Sequence, residues 1–226
     1  MQTLESVIKD NFNYYFQNSF FSMPARVVGI SDIENGNVDV QPLTNRQYSD
    51  MTIIEHPVIY SVPIQVPCTN TSAITLPVSV DDTVLLVFSQ FGLDSFKGGS
   101  DIPYDPNDNR FLDINDAVAI VGIKPFSKSP YNPSNHSTKY DNKDVVITHN
   151  INTGNECSVN LKEDGRIVLQ SPVQVTIDSP ITQVSKLIVK DDALIAGTSF
   201  NQFKSSHTHN YIDNGSPAVT APPNAI

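Results

Sequence analysis

The feature that most constrains the fold of this chain is a series of short alternating segments between residues 143 and 190. In each segment a mostly apolar side chain recurs at every second position: Val145, Ile147, His149 and Ile151; Cys157, Val159 and Leu161; Ile167 and Leu169; Val173, Val175 and Ile177; Leu187 and Val189. A period of two is typical of β-strands with one buried face. Turn sequences such as residues 162–165 separate the segments. Strands this short bury little surface alone, so the pattern predicts a stem that shares its core with identical chains.

The region before this stem predicts a compact β domain. Strand-like segments occupy residues 25–30, 38–43, 57–66, 72–78, 84–88 and 117–123. Residues 84–88 are apolar on both faces and are therefore expected to form a central, buried strand. Short strands joined by turns over about 100 residues favour a small Greek-key barrel of the oligonucleotide/oligosaccharide-binding (OB) type.

An amphipathic helix is predicted for residues 3–20, with Thr3 as its N-cap. Its apolar residues recur at steps of three and four: Leu4, Ile8, Phe12, Tyr15 and Phe16. The favoured interpretation is a helix that packs on its own domain. The alternative is an aromatic-rich helix that docks on a partner.

Residues 124–142 are polar and rich in Pro, Ser and Asn, which indicates a linker between the barrel and the stem. His136 lies in this segment and is expected to be a solvated loop histidine. The predicted organisation is an N-terminal helix at 1–22, a barrel at 23–123, the linker at 124–142, a stem at 143–206 and a metal-binding tip at 207–226.

The charge balance narrows the function classes. Lys and Arg total 14 against 24 Asp and Glu, which gives a formal net charge of −10. This balance argues against nucleic acid and against electrostatic docking on an anionic membrane. No apolar run is long enough for a transmembrane helix, and Glu5 and Asp10 argue against a secretory signal. Cys68 and Cys157 lack a zinc-binding spacing, and buried free thiols are favoured over one disulfide.

The candidate metal ligands are His207 and His209, which are separated by one residue near the end of the chain. In an extended strand these two imidazoles project from the same face. Two ligands are too few for a stable metal site, so a metal would require further chains. The alternative is a solvated histidine pair on a frayed tail.

Taken in their order along the chain, these features resemble the central spike protein of contractile phage tails and related injection machines, in the simple form without a lysozyme domain. The resemblance covers nearly the whole length. The segments that carry it are residues 22–28, 38–42, 64–67, 80–88, 161–169 and 187–200, together with the His-x-His at 207–209.

This resemblance implies a mainly β protein with an N-terminal helix, an OB-type barrel attached to a baseplate hub protein, and an intertwined trimeric β-helix that forms a needle. It also implies one iron ion per homotrimer, held by His207 and His209 of three chains. Six imidazole ligands leave no open position, so such an ion would be structural. The implied location is the tail baseplate tip of a virion, acting mechanically at the host outer membrane and periplasm.

The alternative function is a β-helical enzyme or binding protein that acts on cell-surface polysaccharide. A polysaccharide hydrolase needs paired carboxylates in a groove, whereas the acidic residues here lie mostly at turns such as 163–164 and 191–192. No nucleophile or metalloprotease signature is present, so no enzymatic activity is expected. Two interpretations of His149 are left: a buried, hydrogen-bonded histidine, or a ligand of an ion site inside the stem. The quaternary state distinguishes the spike from the enzyme or binding protein, because the spike must be a stable trimer and the other two can be monomers.

Overall fold

A computed structural model of the chain describes residues 3–48, 50–106 and 108–190, together with the backbone of residues 194–195, 198–199, 210–213 and 216–219. The chain divides into two compact units, Met1–Pro172 and Val173–Ile226. No helix in the described part of the chain combines the length and hydropathy that crossing a bilayer requires.

The first unit contains most of the regular structure. Its α-helices are α1 (Leu4–Gln17) and α2 (Asp94–Lys97), and its 3-10 helices are Ile33–Asn35, Phe126–Lys128 and Pro133–Asn135. Its strands are β1 (Ser22–Gly29), β2 (Asn37–Pro42), β3 (Arg46–Gln47), β4 (Ile53–Ile54), β5 (Ile59–Gln65), β6 (Thr83–Phe88), β7 (Ala117–Val121), β8 (Val145–His149), β9 (Cys157–Leu161) and β10 (Ile167–Gln170). The second unit contains β11 (Leu194–Ile195), β12 (Thr198–Ser199), β13 (Asn210–Asp213) and β14 (Ser216–Val219).

Five strands close into a barrel in the order β1-β2-β5-β7-β6, with β6 pairing back to β1. β5 and β7 are parallel, with Ile64 beside Ala119, and the other pairs are antiparallel. The structure confirms the predicted mainly β fold with a small barrel and shows that five strands form that barrel.

The barrel core consists of one inward-facing set of small and branched apolar side chains: Ala25, Val27, Val38, Val40, Ile59, Val62, Val84, Leu86, Phe88, Ala117 and Ala119. β6 alternates, with Val84, Leu86 and Phe88 buried and Val87 38% exposed. The prediction that residues 84–88 are buried on both faces is therefore wrong. A closed barrel has one interior, and the outer face of this strand is left partly open to solvent.

The helix α1 begins as predicted, because the Ser6 N–H donates to the Thr3 hydroxyl at 3.2 Å. It ends at Gln17, where the Asn18 side chain donates to the Tyr14 carbonyl at 2.7 Å. None of its residues is buried. The ring of Phe16 lies 5.4 Å from that of Phe21, which joins the end of the helix to the barrel. The expectation that the helix packs along its own domain is wrong for most of its length.

The segment at residues 72–78 is the clearest wrong strand prediction in the barrel region. It forms a single bridge, between Ala73 and Cys68, and otherwise runs as an exposed loop. Pro77 within the segment cannot donate a ladder hydrogen bond, and neither can Pro67 before it. Both cysteines are free, as predicted, but Cys68 is exposed and Cys157 is half-buried, so the expected full burial is wrong.

The predicted stem is strand-like at its start. β8, β9 and β10 form an antiparallel sheet in the order β10-β9-β8. The described residues 171–190 contain no strand, although strands were predicted at 173–177 and 187–189. A strand needs a hydrogen-bonding neighbour, and no other described strand pairs with this stretch. The described residues of a single chain contain no β-helix.

Candidate functional site

The sheet β8–β10 has an apolar face that lies open to solvent. The pairing register sets Val145, Leu161 and Ile167 in one row and Ile147, Val159 and Leu169 in the next. Val145 is 65% exposed, and Ile147 and Ile167 are each 70% exposed. We call these six residues the apolar face. A contiguous apolar surface of this kind marks an interaction site.

The opposite face of the same sheet is mixed in polarity and better covered, with a buried polar centre between the half-buried Val146 and Val168. Ser158 and Asn160 are both buried. The Ser158 hydroxyl donates to the Gln170 side-chain oxygen at 3.1 Å, and the Asn160 amide donates to the Ser158 hydroxyl at 2.8 Å. Burial in this sheet is therefore the reverse of that in a solitary globular domain, where the apolar face is covered.

A buried carboxylate, Glu156, organises the covered side. It accepts hydrogen bonds from the backbone N–H groups of Ser137 and Asn152, both at 2.7 Å, and from the hydroxyls of Ser137 at 2.8 Å and Thr138 at 2.6 Å. The carboxylate thus ties residues 137–138 to the β8–β9 hairpin loop. We call Glu156 and these three partners, together with His136, the Glu156 cluster.

His136 belongs to this cluster, which corrects its assignment as a solvated loop histidine. Its side chain is 2% exposed. Nδ1 lies 3.2 Å from a Glu156 oxygen and Nε2 lies 2.8 Å from the Pro130 carbonyl oxygen. The ring stacks on Tyr140 with centroids 4.1 Å apart. Part of the predicted linker is therefore packed against the first sheet of the predicted stem.

The hydrogen bonds decide the ionisation of Glu156. Burial alone would raise the pKa of this carboxyl group. The donors from Thr138, Ser137 and Asn152 outweigh that effect and hold the pKa of Glu156 well below its usual range. The group is therefore a buried anion, stabilised by five hydrogen bonds from Ser137, Thr138 and Asn152.

The barrel is joined to α1 and to the segment that leads to β8 at opposite ends. Ser22, at the start of β1, pairs with Val87, near the end of β6, whereas Val84 pairs with Val121, the last residue of β7. The chain therefore enters the barrel at one end and leaves toward β8 at the other. The loop 89–116 joins α1 at the entry end, where the Phe20 N–H donates to the Leu112 carbonyl at 2.9 Å.

This entry end carries exposed aromatic side chains on a firmly held loop. Phe12, Phe16, Phe21, Phe91, Phe96 and Phe111 are all exposed. The loop is fixed by buried Asp116, which accepts from the Leu93 N–H at 2.9 Å, and by Arg110, which pairs with Asp94 and Asp108. Exposed aromatic side chains on an ordered support favour attachment to another protein.

The predicted metal ligands, His207 and His209, lie outside the described residues. His149 is the last residue of β8, on the same side of the sheet as the apolar face, and it is exposed in the single chain. In the pairing register it stands opposite Cys157, the first residue of β9.

The comparison with known protein families concerns the barrel. Residues 23–122 match the family model of the phage protein Gp138 N-terminal domain. The matched stretch runs from the second residue of β1 to the residue after β7. No curated protein matches the chain. The match indicates a structural role in a phage and an association with the virion.

Replacing Glu156 by glutamine tests the cluster. We expect Glu156→Gln to lower the free energy of unfolding by about 1–3 kcal/mol, because the amide turns an N–H₂ group toward hydrogen-bond donors. The matched control is Glu163→Gln, an exposed turn residue, which should change it by less than about 0.5 kcal/mol. The measurement is chemical denaturation of the full chain at neutral pH.

The depressed pKa of Glu156 predicts that the loss of stability in Glu156→Gln depends on pH. The folded-state pKa of Glu156 is depressed below the ordinary 4.5, so its stabilisation is complete above about pH 4.5 and is lost as the pH falls toward the folded-state pKa. The difference in free energy of unfolding between wild type and Glu156→Gln should therefore become smaller on acidification. A gap that widens would show that Glu156 is not held as an anion.

Proposed function

We propose that this chain is the central spike of a contractile phage tail or a related injection machine, a homotrimer that pierces the host outer membrane mechanically. The observation that carries the proposal is the open apolar face of the sheet β8–β10. Two further features support it: the match of the barrel to a phage protein domain, and the lack of strands in residues 171–190 of the single chain.

Three copies of the sheet around a threefold axis would cover the apolar face. Each aliphatic side chain moved from water into such a core contributes about 1.5–3 kcal/mol. The polar faces are already covered within each chain by the Glu156 cluster and its surroundings, so in this arrangement the apolar faces point inward. Closed symmetry also removes the free edges of β8 and β10.

Residues 171–190 extend the same argument along the chain. They carry exposed apolar side chains along their length, including Val173, Ile177, Ile181 and Leu187. No strand among the described residues pairs with residues 175–190, so in the proposed trimer other chains would bury these side chains and complete the backbone hydrogen bonds. An intertwined trimeric β-helix meets both needs.

The two ends of the barrel suit a load-bearing adaptor. We assign the entry end, with α1 and its exposed aromatic side chains, to a baseplate hub protein. The stem follows from the other end and would point toward the host cell. In this arrangement the force of sheath contraction passes through the barrel wall and into the needle.

At the tip we assign one iron ion to His207 and His209 of three chains. The support for this assignment is the spacing of the two histidines in the sequence, which places both imidazoles on one face of an extended strand. Six imidazoles would fill an octahedral shell, so the ion would act as a structural staple where the trimer is narrowest.

Two acidic residues next to β8–β10, Asp144 and Asp164, support a mechanical role over a glycosidase. Asp144 pairs with Lys162 at 2.6 Å, and Asp164 pairs with Arg166 at 2.6 Å. Each carboxylate accepts from its own cation, an arrangement unlike two carboxyl groups that face each other across a groove. We propose that the chain catalyses no reaction.

A charge on the apolar face should break the trimer. We expect Ile147→Asp to convert a stable trimer into monomers, because the carboxylate would have to lose its hydration inside the shared core. The matched control is Phe126→Asp, which changes an exposed apolar side chain away from that face and should remain trimeric. The measurement is molar mass by light scattering. An Ile147→Asp variant as trimeric as wild type would contradict the proposed interface.

The tip assignment predicts a defined metal content. We expect about one iron atom per three chains after purification and washing with a weak chelator. The double variant His207→Ala/His209→Ala should lose the iron and retain the trimer through the stem. Elemental mass spectrometry measures both proteins. Iron retained by the double variant would show that the ion is bound elsewhere.

A further inference from the structure

We propose that His149 and Cys157 form one chain's share of a second transition-metal site, inside the stem at its barrel end. The inference rests on the trimer of the proposed function. The two residues stand directly opposite each other in the antiparallel pair β8–β9, at the hairpin end of the sheet. They lie on the same side of the sheet as the apolar face and continue its rows.

Their chemistry sets them apart from the rest of that side, where the six other residues are aliphatic. Directly opposed residues have Cβ atoms about 4.5–5.5 Å apart, so an imidazole nitrogen and a thiolate sulfur there can reach the same ion. Neither side chain makes a hydrogen bond or ion pair with any other described residue. Once three sheets close over this face, the imidazole would be buried without a partner, which is costly.

A metal ion would give the buried imidazole a partner and so remove the cost of burying it unpaired. Thiolate and imidazole are the preferred ligands of zinc and similar divalent transition metals. One chain offers two ligands, and the described residues of one chain contain no cluster of three ligating side chains. The site is thus incomplete without the same pair from partner copies. The threefold arrangement supplies them at the same height along the stem.

The location gives such an ion a structural role. His149 borders a cavity whose walls also include Leu76, Thr83 and Val121 at the exit end of the barrel. An ion there would link the three chains where the barrel ends and the shared core begins. On binding, the Cys157 S–H bond is replaced by a sulfur–metal bond and the proton passes to water, so affinity should rise with pH.

Cobalt(II) is the probe for this site. It is added to the chelator-treated full chain, and the thiolate-to-cobalt charge-transfer absorption is recorded. We expect the band in wild type and in the double variant His207→Ala/His209→Ala. Cys157→Ser should abolish it, and His149→Ala should weaken cobalt binding at least about tenfold. The matched control is Cys68→Ser, which removes the exposed thiol of the loop and should leave the band unchanged.

A second measurement uses the unsubstituted protein, in case Cys157→Ser fails to assemble. Zinc should slow alkylation of Cys157 and leave the alkylation rate of Cys68 unchanged, as read by peptide mass spectrometry. This inference would be overturned if a trimeric wild type lacked the band, if the band survived Cys157→Ser, or if it disappeared in Cys68→Ser. Undiminished cobalt affinity in His149→Ala would also overturn it. None of these results would contradict the proposed spike. A monomeric wild type would overturn both.

Discussion

The reversed burial of the sheet β8–β10 is the constraint on which the account of this molecule depends. The chain covers the face that holds Ser158 and Asn160 and leaves the six aliphatic residues of the apolar face in water. Folding gains most of its free energy from removing apolar surface from water, so this arrangement is unfavourable for a solitary chain. In the proposed trimer, identical chains would supply the missing half of the core. The barrel, by contrast, completes its own core.

The Glu156 cluster explains why the polar face is the covered one. Glu156 draws donors from residues 136–138 and from the hairpin loop, and so holds the connecting segment on that side of the sheet. The apolar face is thereby left uncovered within the chain, and in the proposed trimer partner chains would cover it. A hydrogen-bonded buried anion is specific in geometry, which suits a segment that must fix the sheet before assembly.

The local parts of this fold could be predicted from the sequence, and the non-local parts could not. The start of α1 at its Thr3 cap and the barrel strands followed from short-range periodicity and turn residues. The burial of His136 was missed because its partner, Glu156, lies 20 residues further along the chain. A glutamate next to an alternating strand was the available signal, but it indicates equally well a solvated turn. The strands predicted within 171–190 are absent from a single chain, since periodicity reports which face is buried and says nothing of which chain covers it. His207 and His209 remain a prediction.

Amide hydrogen exchange across residues 175–190 of the full chain tests the shared stem most directly. These residues belong to no strand of the single chain, so slow exchange would require hydrogen bonds from partner chains. The account predicts protection comparable to that of the barrel strands β1 and β6. Exchange as fast as that of an unstructured peptide, in protein whose barrel is protected, would contradict the intertwined trimer.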